Sequence, residues 1–362
     1  MKLVVVGLSI TSSWGNGHAT TYRGLLREMR RRGHEIVFLE RDVPWYAQHR
    51  DLPNPVFCTT RLYRDLDGLR RSHTDTVARA DAVVLGSYVP DGAEVADWLL
   101  GLGDGVKAFY DIDTPVTLAR LARGEHDYMR PSLIPDFDLY LSFTGGPTLA
   151  RLEREYGARS ARVLHCSVDE RLYRPVASPR RWDLGYLGTY SPDRQPKLER
   201  LLVGPACSLR GSRFVVAGPQ YPTGIDWPHN VQRLEHLAPP DHPAFYAAQR
   251  FTLNVTRVDM IAAGWSPSVR LFEAASCGVP IISDSWPGLD ELLRRGAEIL
   301  VADSAEDVGR ILVDTTETER SAIAAAARER VLSCHSSAAR AAQLDGYLQE
   351  AGWERQVLRC AG

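Results

Sequence analysis

Lysine is nearly absent from this chain: it stands only at positions 2, 107 and 197, so almost all of the 43 basic residues are arginine. Set against 45 acidic residues they leave a formal charge of -2, which excludes the broad positive field of a non-specific nucleic-acid binder. The arginine bias fits a GC-rich genome as well as any function. The six cysteines, at 58, 166, 207, 277, 334 and 360, form no CxxC pair and no Cys/His cluster, which argues against a zinc site or a disulfide framework and for a reducing cytoplasm. No apolar run approaches the about eighteen residues of a membrane span, and the stretch 3–10 has no small-residue cleavage site after it. The expectation is a protein neither secreted nor membrane-spanning. What is present is an ordinary globular composition, 44% hydrophobic and 24% charged, over 362 residues, a length that favours two domains over one core.

Short apolar runs alternate with amphipathic segments almost from end to end, as parallel βαβ units require. Strands are expected at 3–7, 35–40, 81–86, 105–110, 137–143 and 162–166, with a helix from about 22 stopped by Gly33 and further helices near 91–100, 116–123 and 147–156. No apolar period crosses the polar, proline-containing stretch 174–181, the best linker candidate. Beyond it strands are expected at 182–188, 213–218, 231–234, 251–255, 280–283 and 298–301, and helices at 195–209, 268–277, 305–313 and 317–332. A last amphipathic helix, about 336–351, has no strand after it. The fold class is therefore α/β, with two Rossmann-like doubly wound domains facing a cleft, divided at about residue 178 into 1–178 and 179–335. Ligands bind such sheets at the carboxyl ends of their strands.

The most informative segment is SPSVRLFEAASCGVPIISD, residues 266–284. Ser266 can cap a helix, Pro267 suits its first position and Gly278 its end. The N–H groups of Ser268 and Val269 would then face out of the helix start, where an anionic diphosphate is favoured by hydrogen bonding and by the helix dipole. Arg270 adds a full charge, and Glu273, on the same side, can accept hydrogen bonds from the two hydroxyls of a ribose. A plain Arg270–Glu273 surface pair fits the spacing equally well.

This unit resembles the donor-binding signature of group-1 glycosyltransferases of the GT-B fold, and more closely their CgeB-like (spore maturation protein) branch. The segments LSITSSWGNGHATTYRGLLREMRRRGHEIVFLERD, FYDIDTPVTLARL, LYLSFTGGPTL and RWDLGYLGTYSPDRQPKLERLL extend the resemblance over nearly the whole chain. It implies a nucleoside-diphosphate-sugar donor on the C-terminal domain, a hydroxyl or amine of a small-molecule or glycan acceptor on the N-terminal one, a final helix (336–362) packing back on the N-terminal domain, and neither metal nor cofactor. A homodimer is compatible with it. Retaining members carry an acidic residue eight positions before the glutamate of this helix, where Trp265 stands here. The stereochemical outcome therefore stays open.

Gly15-Asn16-Gly17-His18 lies between the first strand and the first helix. The resemblance gives His18 the role of general base toward the acceptor, suited to an imidazole titrating near neutrality, with Gly15, Asn16 and Gly17 beside the acceptor. A histidine that only packs at the helix start fits equally. Asp111 or Asp113, after the strand ending at Tyr110, could serve instead as base or acceptor hydrogen-bonder; a metal-binding pair is disfavoured, and Asp113 could simply cap the helix begun by Pro115. Gly188, Thr189, Tyr190, Gly218 and Gln220 follow two strands and are expected on the donor side, and His236 and Leu237 near the base. Thr144 is a low-specificity acceptor candidate, and the aromatic loops at 44–46 and 88–90 would meet the acceptor. A dinucleotide fingerprint built on Gly15, Gly17 and Glu40 fails, because about eight residues separate the strand from the first glycine and Thr20 replaces the third. Two further readings stay open: a non-catalytic nucleotide-binding protein of envelope or spore-coat assembly, weakly favoured by Trp265, and a nucleotide-sugar epimerase.

Overall fold

The computed structural model describes residues 1–15 and 17–361, and the side chains up to residue 357. Two compact units divide the chain: Met1–Ser167 together with the segment from Ser337 onward, and Val168–Ser336.

The first unit is built on a seven-stranded sheet of β1 (Lys2–Gly7), β2 (Glu35–Arg41), β3 (Thr59–Tyr63), β4 (Ala82–Gly86), β5 (Val106–Asp111), β6 (Leu139–Ser142) and β7 (Ala161–Val163). Its order is β3-β2-β1-β4-β5-β6-β7, parallel throughout. The second unit carries β8 (Trp182–Leu187), β9 (Phe214–Ala217), β10 (Val231–Leu234), β11 (Gln249–Asn254), β12 (Ile281–Ser283) and β13 (Leu300–Val301), in the parallel order β10-β9-β8-β11-β12-β13. Each order reverses direction beside its first strand, as a doubly wound sheet does. β4 and β9 are buried at every position, which is why they read as unbroken apolar runs.

Three local features differ from expectation. Strand β3 and the helix Leu66–Ala78 were not expected; β3 is an edge strand with only Tyr63 buried, so it lacks the apolar run that marks its neighbours. The helix expected at 195–209 is broken by a π turn at Glu199–Val203. The units divide at Ser167 rather than near 178, because Val168 and Tyr173 are buried in the core of the second unit; the irregular stretch after Tyr173 belongs to that unit.

The last helix, Ser337–Ala361, belongs to the first unit. Its Asp345 accepts from Arg32 Nε at 2.9 Å and lies 3.2 Å from His34 Nε2, while Arg355 reaches Asp138.

Candidate functional site

In the second unit the helix Val269–Ser276 begins two residues later than a cap at Ser266 would give. Ser268, not Ser266, is its N-cap and accepts from the Arg270 N–H at 3.3 Å, while the Ser266 hydroxyl is turned back to the Gly264 carbonyl at 2.7 Å. Pro267 therefore lies ahead of the helix. The N–H groups of Ser268 and Val269 have no acceptor among the described residues.

Arg270 is 7% exposed. Its Nε donates to the Leu187 carbonyl at 2.5 Å and its Nη1 to Asn254 Oδ1 at 3.0 Å, and its Cζ lies 4.7 Å from the centre of the Tyr186 ring. All three partners are neutral, and among the described residues no carboxylate pairs with Arg270. Asn254 is fixed in turn by its Nδ2, which donates to Thr256 Oγ1 and Ser283 Oγ; Thr256 donates to Asp284, whose carboxylate also pairs with Lys197. These groups follow or end β8, β11 and β12, so an arginine from a helix start is held over the carboxyl ends of three adjacent strands. A surface Arg270–Glu273 pair is not what forms: both residues are buried, and neither salt-bridges the other.

Two glycines make this approach possible. A Cβ at Gly188 would stand 2.8 Å from Arg270 Nη2, and one at Gly218 (φ 140°) would stand 2.0 Å from the Gly188 carbonyl oxygen. Around them, the Thr189 carbonyl accepts from Arg194, the Tyr190 N–H donates to Pro219, Gln220 adopts a left-handed backbone (φ 69°), and Tyr221 donates to the Gly188 carbonyl.

Glu273 is 6% exposed, and its Oε2 accepts from the Tyr246 hydroxyl at 3.3 Å. Tyr173 is held well above the usual phenol range by burial first and by the negative charge of Glu273 next. The Tyr173 hydroxyl lies 3.1 Å from His242 Nδ1, and His242 Nε2 lies 3.2 Å from the Leu237 carbonyl. His236 is exposed, so the engaged group of this loop is the Leu237 carbonyl. Trp265 has a left-handed backbone (φ 43°), its N–H bonded to the Pro287 carbonyl and its ring packed on Gly288.

In the first unit His18 is the first residue of the helix His18–Arg31, after an N-cap at Gly17 that makes no side-chain bond. It is 7% exposed, with Nε2 3.6 Å from Asp113 Oδ2, its ring edge-on to Tyr88, and a buried Nδ1 without a hydrogen-bond partner among the described residues. Asp113 does not cap the helix Thr114–Ala122 through its side chain. Its carboxylate faces His18 instead. Asp111 plays a different part. It is fully buried and accepts from Tyr140 at 2.6 Å, Thr117 at 2.8 Å and the Asp113 N–H at 3.2 Å. Burial pushes its carboxyl up to about 6 against these lowering hydrogen bonds. The two aspartates thus face different partners, Asp111 being held by Tyr140, Thr117 and the Asp113 N–H.

Gly15 (φ 66°) is exposed, and Asn16 lies outside the described residues. Thr144 is buried, its backbone N–H and C=O both tied to the Ser142 hydroxyl. Glu40 is fully buried and accepts from the N–H groups of Ile10 and Thr11 and from the Ser9 and Thr11 hydroxyls. It pins the loop leading to His18 and presents no carboxylate to a ribose. Arg23 clamps Asp51 through two 2.8 Å bonds beside the same loop, and Trp14 stacks on His49. Among the described residues no group of three His, Cys, Asp or Glu side chains could hold a metal, and no helix is long and apolar enough to cross a membrane.

Sequence reasoning missed Asn254, Tyr173, Tyr246 and His242. The available signal for Asn254 was an amide at the carboxyl end of a strand, where parallel sheets meet their ligands; Tyr173 lay just ahead of the stretch taken as a linker.

Residues 194–346 match a family model described as "Glycosyl transferase-like". No curated protein matches the chain by sequence. Solved structures do. The chain is similar to the sucrose-phosphate synthase of Thermosynechococcus elongatus (13% identity, 100% of both chains, TM-score 0.67). It is also similar to Anabaena HepE in complex with UDP-glucose (14% identity, 97% of this chain and 100% of that one, TM-score 0.69) and to a glycosyltransferase of Rickettsia africae (10% identity, 97% and 98%, TM-score 0.68). The architecture is the two-domain α/β fold GT-B.

Proposed function

We propose that this protein transfers a glycosyl group, as a hexosyltransferase, from a nucleoside-diphosphate sugar to a hydroxyl or amine of a small-molecule or glycan acceptor. One observation carries the reading. Among the described residues, Arg270 is a buried guanidinium with only neutral partners, standing at a helix start whose first N–H groups lack acceptors. A buried charge without a counter-ion is costly, and a diphosphate is an anion that removes the cost. Glu273, one turn further along, suits the ribose hydroxyls. The glycosyltransferase-like match over 194–346 and a neighbour bound to UDP-glucose support the same assignment.

In this reading the second unit binds the donor and the first supplies the base. The acceptor O–H or N–H gives its proton to His18 as its heteroatom bonds the anomeric carbon. The bond from that carbon to the diphosphate breaks, and the electron pair leaves with the diphosphate. Arg270 and the helix start stabilise the charge that develops there, so the reading needs no metal and no cofactor. Asp113 stabilises the imidazolium at Nε2. Calorimetric titration with UDP, ADP, GDP, CDP and dTDP tests the reading directly: binding of at least one is expected, and failure of all five would overturn it.

A further inference from the structure

We infer that Asp284, acting through Thr256, is a positioning residue that fixes which end of the Asn254 amide faces Arg270; the inference rests on the reading of Arg270 as the diphosphate site. An amide has a donor end and an acceptor end, and only the acceptor end can hold a guanidinium, which has nothing but donors. The choice is made further along the chain of hydrogen bonds. The Asp284 carboxylate can only accept, and its Oδ1 accepts from the Thr256 hydroxyl at 2.8 Å and from the Thr256 N–H at 3.1 Å. With its one proton committed there, Thr256 Oγ1 can only accept from Asn254, whose Nδ2 faces it at 3.2 Å. Ser283 repeats the device: its hydroxyl donates to the Asp284 backbone carbonyl at 3.0 Å and accepts from Nδ2 at 3.0 Å. Oδ1 is thereby left for Arg270 Nη1, at 3.0 Å.

The chain thus runs one way, from Arg270, which only donates, to Asp284, which only accepts. Asn254, Thr256, Ser283 and Asp284 are all buried, so water offers the amide no alternative partner. Turning the amide over would set Nδ2 against the guanidinium and Oδ1 against two hydroxyl oxygens whose protons are already given elsewhere, and buried polar groups left unpaired are costly. The negative charge that sets this polarity does not cancel Arg270, because Asp284 Oδ2 is paired with Lys197. The acid reaches the arginine only through neutral groups, which leaves the guanidinium its charge for an anionic ligand.

The test measures dissociation constants of the full-length protein, by calorimetry for the tightest-binding of UDP, ADP, GDP, CDP and dTDP and by NMR titration for the corresponding nucleoside, which lacks the phosphates. Thr256→Val keeps the shape and removes the hydroxyl; it should weaken the diphosphate roughly tenfold, the scale of one buried hydrogen bond, and leave the nucleoside near wild type. Thr256→Ser keeps the hydroxyl and removes the methyl; it should bind the diphosphate near wild type. A residue that only packs would give the opposite order. Ser283→Ala should weaken the diphosphate in the same direction as Thr256→Val, and it carries the test if Thr256→Val does not fold. Arg270→Ala separates the two levels of the argument: unchanged diphosphate affinity in that variant would overturn the donor-site reading itself. Weakened binding in Arg270→Ala beside full affinity in Thr256→Val and Ser283→Ala, or a Thr256→Ser as weak as Thr256→Val, would leave that reading standing and overturn the positioning role.

Discussion

The Nη1 group of Arg270 donates to Oδ1 of Asn254 at 3.0 Å, so the cation at the start of the helix Val269–Ser276 is aimed by an amide rather than by an acid. An amide orients a guanidinium without neutralising it, which leaves its charge available to an anionic ligand. Arg270→Ala should therefore lower turnover by roughly a hundredfold or more. Asn254→Ala, which removes the aim and leaves the charge, should cost less, on the order of tenfold. Steady-state kinetics with the working donor checks both; a wild-type rate in Arg270→Ala would remove the diphosphate site from this helix.

Gly188→Ala offers a test at a residue with no functional group. Its Cβ would fall 2.8 Å from Arg270 Nη2 and 2.6 Å from the Tyr186 hydroxyl, so the arginine must move. The loss of turnover should approach that of Arg270→Ala. Circular dichroism should show the secondary structure intact, separating displacement of one side chain from unfolding.

His18→Ala should abolish transfer while nucleotide affinity stays near wild type, because His18 and the donor residues belong to different units. Asp113→Asn should lower the rate about ten- to a hundredfold by removing the charge that steadies the imidazolium at Nε2. Steady-state rates with a saturating donor check this; an unchanged rate in Asp113→Asn would separate Asp113 from the base.

Asp111 predicts an effect on stability instead of chemistry. Its folded pKa, about 6, lies above its ordinary value of 3.8 because burial opposes the charged form. The folded state therefore holds the proton more tightly than the unfolded state. The favourable contribution is complete below about pH 4 and is lost as pH rises through 6, on the order of 2–3 kcal/mol in all. Asp111→Asn does not titrate, so the stability of wild type relative to it should fall between pH 4 and 6 in denaturant titrations. A constant difference across that interval would show that Asp111 is not raised.

Much of the fold was legible because parallel sheets bury both faces of their strands. Runs such as Leu3-Val4-Val5-Val6 and Phe214-Val215-Val216-Ala217 announce themselves, and Gly33 stops a helix where expected. Strand β3 was not legible, since an edge strand half in solvent needs no apolar run. The helix cap was placed two residues early because Ser266 and Ser268 are equally good caps in sequence; only the carbonyl of Gly264 chooses between them.

The sequence by itself determined the α/β class and the two series of strands, and it put forward Arg270, Glu273 and His18 as candidates. The class and the strands follow from periodicity, which is local. The tertiary structure decided which of two aspartates two positions apart faces His18 and which is consumed by Tyr140 and Thr117. It also decided that Arg270 and Glu273 point to separate partners, Asn254 and Tyr246, instead of to each other. Hydrogen-bond partners far apart in the chain are fixed only when strands and helices pack, and no spacing rule contains them.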